Sequence, residues 1–122
     1  MKRLLAVLAL AVLTGFGCAT TPQTPAQAVY AVQGTYAAAL QVAVTYKGLP
    51  SCARPDKPVL CSDADVVKKL QAADNVAYAS LTAAQNTVRS PGAGANVQTA
   101  IVAAQQAVNA LAAITATLRT TQ

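Results

Sequence analysis

The sequence lacks histidine, tryptophan and glutamate, and its only acidic residues are the aspartates at positions 56, 63, 65 and 74. Without histidine the commonest general base is missing, and without histidine or a CxxC pair the usual zinc-binding patterns are missing too. Asp63 and Asp65 lie two residues apart, on different sides of a helix, so they do not form a cooperating carboxylate pair. No G-x-S-x-G or S-x-x-K motif frames a serine nucleophile. We therefore expect no enzymatic activity, no metal and no cofactor.

Charge is also scarce, because charged residues make up only 11% of the chain and the formal net charge is +5 at pH 7. The basic residues are scattered, and only Lys68 and Lys69 are adjacent. The stretch P-G-A-G-A-N is rich in glycine but lacks the lysine of a phosphate-binding loop, so we interpret it as a turn. Nucleic acid is therefore not an expected partner. The mild positive charge suits an anionic membrane or polysaccharide surface.

The first 18 residues, MKRLLAVLALAVLTGFGC, have the pattern of a secretory signal. Lys2 and Arg3 precede an unbroken apolar run from Leu4 to Leu13, and small residues follow it. This order of basic, apolar and small residues is typical of a signal peptide, and the run is too short to span a bilayer, which takes about 20 residues. We expect residues 1–17 to be removed. Seven basic and four acidic residues then remain, which gives a net charge of +3.

The end of this signal resembles the lipobox of bacterial lipoproteins, in which small residues directly precede a cysteine. The box reads Gly15, Phe16, Gly17 and Cys18. The resemblance implies that Cys18 carries a thioether-linked diacylglycerol and an N-acyl chain such as palmitate, and several acyl chains anchor a protein stably. Ala19 after the cysteine implies the outer membrane, facing the periplasm. The family prefers leucine where this chain has Gly15, and Gly15 with Gly17 also fits ordinary signal peptidase. That alternative would give a periplasmic or secreted protein.

The three cysteines, Cys18, Cys52 and Cys61, bear on this choice. Export places them in an oxidising compartment, where pairing is expected. Cys52 and Cys61 flank one short segment and are predicted to form a disulfide, which leaves Cys18 at the position that a lipoprotein would acylate. Ordinary cleavage would instead leave Cys18 as a reactive free thiol.

Proline and glycine divide the rest of the chain into a tether and three helical segments. Residues 18–25 are polar and carry Pro22 and Pro25, as in an extended spacer. Alanine supplies almost a quarter of the sequence and has the highest helix propensity of any residue. We predict an all-α domain over residues 26–122, with helices at about 26–47, 62–89 and 96–119. Ser62 is the predicted N-cap of the second helix and Asn96 that of the third.

Each predicted helix carries one apolar face at helical spacing. The first face consists of Val29, Val32, Tyr36, Ala39, Ala43 and Tyr46. The second consists of Val66, Leu70, Ala73, Ala77, Leu81, Ala84 and Val88. The third consists of Val97, Ile101, Ala104, Val108, Leu111, Thr115 and Leu118, a regular heptad alternation. Short connections favour antiparallel neighbours, so we predict an up-down-up three-helix bundle. Its core should be thin, because alanine buries little apolar area.

The disulfide-closed loop between the first two helices has two interpretations. It is either a clamp on a long connection or a preordered recognition loop that presents Arg54, Asp56 and Lys57, since rigid loops bind at a lower ordering cost. Among the tyrosines, Tyr36 and Tyr46 are predicted to fill gaps in the core. Tyr30 and Tyr78 fall outside the apolar faces and are further recognition candidates.

These observations favour a small lipid-anchored envelope protein that acts by binding. The helix surfaces are rich in Gln, Asn and Thr rather than charge, which suits packing against a partner envelope protein or a second copy. One alternative is an inhibitor or exclusion factor that blocks an envelope enzyme, receptor or phage component through the disulfide loop. Another is a periplasmic carrier of a small apolar molecule between the alanine-lined helices.

Overall fold

The computed structural model describes residues 24–56, 58–90, 92 and 94–120, and for residues 119 and 120 only the backbone. It contains three α-helices: α1, Pro25–Lys47, α2, Ala64–Arg89, and α3, Gly94–Thr120. Within these described ranges the only strand-like pairing is an isolated bridge between Ser51 and Ser62. The predicted all-α class is therefore confirmed.

The start of α1 is set by Thr24 and Pro25. The Thr24 hydroxyl accepts a hydrogen bond from the Gln27 backbone N–H at 3.3 Å, and the Thr24 N–H donates to Gln27 Oε1 at 2.9 Å. This reciprocal pair is a capping box. Pro25 occupies the first helical position, where its missing N–H costs nothing.

The other two helices do not begin at the predicted caps. Asp63, rather than Ser62, caps α2, because its carboxylate accepts from the backbone N–H groups of Asp65 and Val66 at 2.8 and 3.1 Å. Ser62 is held instead by bonds within the preceding loop. The third helix begins at Gly94, two residues before Asn96, directly after a turn in which Gly92 has a φ of 80°. Glycine adopts that backbone conformation without the steric cost that other residues meet.

The helices pack as the predicted up-down-up bundle. Tyr36 of α1 bonds to Asp74 of α2, and Tyr46, ten residues later in α1, bonds to Asp63 at the start of α2. These two helices are therefore antiparallel. Residues 31–35 of α1 meet residues 105–109 of α3, and residues 35–39 meet residues 112–116, so α1 and α3 run in the same direction.

All three predicted apolar faces line one core. The buried hydrophobic residues are Val29, Val32, Ala39, Ala43, Tyr46, Leu70, Ala77, Leu81, Ala84, Ile101, Ala104, Val108, Leu111 and Leu118. Five of these are alanines. The largest fully buried side chains are Leu111 and Val108, both from α3. The core is thus thin, as alanine content predicts, and α3 supplies its bulkiest part.

The segment Gly94–Leu118 of α3 is long and apolar enough, by composition, to cross a membrane, with a mean hydropathy of 1.4. Core helices of soluble domains pass the same test. Here α3 packs against both other helices and buries its heptad face, so we interpret it as the core helix of the bundle.

Candidate functional site

The loop between α1 and α2 is fixed at its base by covalent and hydrogen bonds. The predicted Cys52–Cys61 disulfide is present, with its Cα atoms 4.9 Å apart. Beside it, the Cys52 N–H donates to the Ser62 carbonyl at 3.0 Å and the Ser62 N–H donates to the Pro50 carbonyl at 2.8 Å. The Ser62 hydroxyl also donates to the Leu49 carbonyl at 3.0 Å. Ser62 is thus committed to the loop, which explains why it does not cap α2.

Tyr46 ties this loop base to the bundle. Its ring is buried at the end of α1, and its hydroxyl accepts a hydrogen bond from the Asp63 backbone N–H at 2.9 Å. Asp63 in turn caps α2 through its carboxylate. One tyrosine therefore links α1, the loop and the first turn of α2, so the loop is preordered.

The charged candidates on the loop engage each other. Arg54 Nε donates to Asp56 Oδ1 at 3.0 Å, and both side chains are more than half exposed. Exposed pairs of this kind contribute about 0–1 kcal/mol to stability, and both groups remain open to a partner. Lys57 lies outside the described residues.

The loop also exposes two apolar side chains that the sequence analysis did not single out. Val59 is 100% exposed and Leu60 is 48% exposed. We call this pair the apolar tip. The only sequence signal was its position: apolar residues inside a proline-bearing, disulfide-closed loop, away from any helical face.

The tyrosine candidates do not join the loop in a single site. Tyr30 and Tyr78 are 76% and 62% exposed, as expected of residues off the apolar faces. Tyr30 precedes the end of α1 by 17 residues, which is roughly 25 Å along a helix axis. The four recognition candidates within the described residues therefore do not form one site.

Tyr36 and Asp74 form a polar contact between α1 and α2. The Tyr36 hydroxyl donates to Asp74 Oδ1 at 2.7 Å. Burial, this hydrogen bond, and the electrostatic influence of Asp74 and Tyr78 raise the pKa of Tyr36 from 10.0 to about 12. Tyr36 therefore remains a hydrogen-bond donor to Asp74 at alkaline pH values where an unperturbed tyrosine would lose its proton.

Asp74 also lines an open groove of about 390 Å³ between α1 and α2. We call it the α1–α2 groove. Its apolar lining includes Leu40, Val44 and Val67, with buried Leu70 at its base, and Lys47 lies at the end nearest the loop.

The surface shared by α1 and α3 carries almost no charge. In α1 the only charged residue is Lys47, and in α3 the segment Gly94–Leu118 contains none. The exposed residues along both helices are mainly Ala, Gln, Thr and Asn, and they continue across shallow grooves where the two helices meet. We call this surface the neutral face. The charges lie on α2 and on the loop instead.

Within the described ranges, no group of three or more Cys, Asp, Glu or His residues lies close enough to hold a metal ion. The Asp63 carboxylate caps α2, and Asp65 forms an exposed ion pair with Lys68 at 3.6 Å. The signal, the lipobox and Cys18 lie outside the described residues.

Comparison with known proteins adds no family. No protein-family model matches the chain, and neither the curated proteins nor the solved structures contain a match. The functional argument therefore depends on this chain's own residues.

Proposed function

We propose that this protein is a small, non-enzymatic binding or scaffold lipoprotein of a bacterial envelope, anchored through acylated Cys18 and acting without a cofactor. The neutral face carries the binding part of the proposal. Charged residues are depleted at the centres of protein interfaces. Exposed apolar patches are also typical of interaction sites. The neutral face combines both features, since small apolar alanines alternate there with uncharged amides and hydroxyls.

The signal and lipobox support the location. A diacylglycerol and an N-acyl chain on Cys18 would hold the bundle at the outer membrane through the short tether that precedes Pro25. The partner we propose is another envelope protein or a second copy of this chain. Nucleic acid is not a proposed partner.

Charge insertion tests the binding surface. Ala110 lies exposed on α3 within the neutral face, and Ala79 lies exposed on α2 outside it. We expect Ala110→Lys to reduce co-purification of cross-linked partners from the native envelope by about tenfold or more, because the lysine must be desolvated at the interface. The matched variant Ala79→Lys should leave recovery unchanged. Equal recovery with both variants would contradict the proposal.

A second candidate is inhibition or exclusion through the disulfide loop, and the preordered base of that loop favours it. A rigid loop loses little entropy on binding. Replacing Arg54, Asp56 and Lys57 with alanine should then abolish blocking activity while the helices stay folded. Unchanged blocking activity would show that the charged loop residues are not needed for inhibition.

A further inference from the structure

The disulfide loop and the α1–α2 groove are complementary features of one molecule. The apolar tip projects Val59 and Leu60 into solvent from a loop whose base is fixed by a disulfide and three hydrogen bonds. Exposing two apolar side chains on a preordered loop costs solvation free energy, which docking into an apolar site would recover. The tip therefore has the properties of an insertion element.

The α1–α2 groove has the properties of a receptor for such a tip. Its volume of about 390 Å³ lies near the lower end of the range for binding pockets, about 300–1,000 Å³. Val44 lines it and is 61% exposed, so apolar surface is open there. Lys47 and Asp74 supply one charge of each sign at its edge. An apolar centre with a polar rim is the usual anatomy of an interface.

The tip does not fill the groove of its own chain, because Val59 is completely exposed. Both features nevertheless lie at the same end of the bundle, since the loop connects the ends of the helices that form the groove. One two-fold axis at that end can bring two tips and two grooves together at once. A contact of this kind uses the same patches on both copies and closes on itself, so it forms a dimer and not a fibre.

We propose that a second copy of this chain occupies the groove, with Val59 and Leu60 of each copy inserted between α1 and α2 of the other. The exposed Arg54–Asp56 pair beside the tip then faces the Lys47 and Asp74 rim, with charges of both signs on each side. This inference goes beyond the proposed function, because it names a second copy as partner and places that contact at the loop and the α1–α2 groove, apart from the neutral face.

The dimer should be weak in solution. Stable interfaces bury about 1,200–2,000 Å², and two tips of two side chains each cover less. A dissociation constant in about the micromolar to millimolar range follows. Anchoring both copies in one membrane raises their effective concentration toward about the millimolar range, so a weak contact suffices there.

A membrane is the less favoured occupant. Arg54 and Lys68, two of the basic residues near the loop, are paired with Asp56 and Asp65. Those pairs reduce the attraction of this end for anionic lipid, which depends on unneutralised basic residues near the surface, and they leave Lys47 as an exposed basic residue without an ion pair among the described residues there. Two aliphatic side chains also provide little insertion area.

Site-specific photo-cross-linking in the native envelope tests the contact directly. A photoreactive phenylalanine analogue is placed at position 59 of the full chain, and the products are mapped by mass spectrometry. We expect cross-links from position 59 to the groove segments 40–47 and 67–75 of a second copy. Cross-links to another protein or to lipid, or none to a second copy, would overturn the inference.

Charge variants provide the matched test, read out by sedimentation velocity of the purified full-length protein in mild detergent. Val59→Asp and Val44→Asp should each raise the dissociation constant at least about tenfold, because each removes both tip–groove contacts of a symmetric dimer. Val76, on α2 outside the groove, is 59% exposed, close to the exposure of Val44. Val76→Asp should leave the dissociation constant unchanged.

Mixing the two disruptive variants distinguishes this contact from other modes of association. The intact tip of Val44→Asp fits the intact groove of Val59→Asp, so a mixed dimer keeps one of two contacts and should form more readily than either homodimer. No gain on mixing would overturn the proposal. A monomer that still co-purifies with an envelope protein, in a manner sensitive to Ala110→Lys, would overturn the dimer and leave the proposed function standing.

Discussion

At the scale of single residues, Gly34 is the clearest place where the sequence and the fold disagree. It lies in the middle of α1, where glycine costs about 0.5–1 kcal/mol relative to alanine. Close approach of another helix would justify that cost. An added Cβ at Gly34 would meet no atom within 4 Å, so packing gives it no such justification.

Gly34→Ala should therefore raise the free energy of unfolding by about 0.5–1 kcal/mol, since alanine restricts the unfolded chain and favours the helix. Urea denaturation followed by circular dichroism measures the change. Gly92→Ala is the matched contrast, because the φ of 80° at Gly92 strains any other residue. Gly92→Ala should lower the free energy of unfolding. If Gly34→Ala also lowered it, Gly34 would have a role in α1 that packing does not explain.

Tyr36 gives the bundle a pH dependence at alkaline pH. Its pKa in the folded protein is about 12, against 10.0 for the unperturbed group. A raised folded-state pKa stabilises the fold fully below pH 10, and that contribution is lost as the pH rises from 10 to 12. Because the hydroxyl is partly solvated, we expect a loss of only about 1 kcal/mol.

Stability measured across this alkaline range should fall less in Tyr36→Phe than in the unmodified protein. Asp74→Asn should also flatten the profile, because it removes the carboxylate that holds the phenol proton. Identical profiles in all three proteins would contradict the assignment of this pH dependence to the Tyr36–Asp74 contact.

At the scale of elements, the sequence predicted the helices well because alanine, proline and glycine act locally. The heptad positions of α3 from Ile101 to Leu118 are buried as predicted, and the faces of α1 and α2 line the same core. The predicted N-cap at Asn96 was wrong because α3 begins two residues earlier, at Gly94. The predicted N-cap at Ser62 was wrong for a nonlocal reason. Ser62 is bound to Leu49 and Pro50 across the disulfide loop, which a local capping pattern does not reveal.

The disulfide loop is the element that sequence reasoning predicted least completely. Its covalent closure followed from cysteine count, but the exposure of Val59 and the bond from Asp63 to Tyr46 depend on how the loop folds back on the bundle. Apolar residues in a short loop are as compatible with burial as with exposure. The apolar tip was therefore visible only in the structure.

Removing the disulfide measures how much this bond adds to the free energy of unfolding beyond the hydrogen bonds at the base of the loop. Cys52→Ala combined with Cys61→Ala should lower the free energy of unfolding by about 2–3 kcal/mol, as loop-closure entropy predicts for a sequence separation of 9. Helical content should be unchanged, because the Ser51–Ser62 bridge and Tyr46 still hold the loop base. An unaltered denaturation midpoint would contradict a clamping role for the bond.

At the scale of the whole molecule, the distribution of charge separates the surfaces. The ion pairs Arg54–Asp56 and Lys68–Asp65 lie on the loop and α2, whereas α1 and α3 share the neutral face. The loop lies at the opposite end of α1 from Pro25, roughly 35 Å away for a helix of 23 residues. The proposed tether therefore leaves from one end of the bundle, and the proposed contact between two copies lies at the other end, apart from the neutral face.

The central claim, a membrane-anchored and disulfide-clamped binding protein, is tested most directly by the intact, non-reduced mass of the protein from its host's membrane fraction. The account predicts a chain that starts at Cys18, carries three acyl chains, and is two hydrogens lighter than the reduced form because of the Cys52–Cys61 bond. An unacylated mass in the soluble fraction would contradict it. That result would make Gly15-Phe16-Gly17 an ordinary cleavage site and would place the protein in the periplasm or outside the cell.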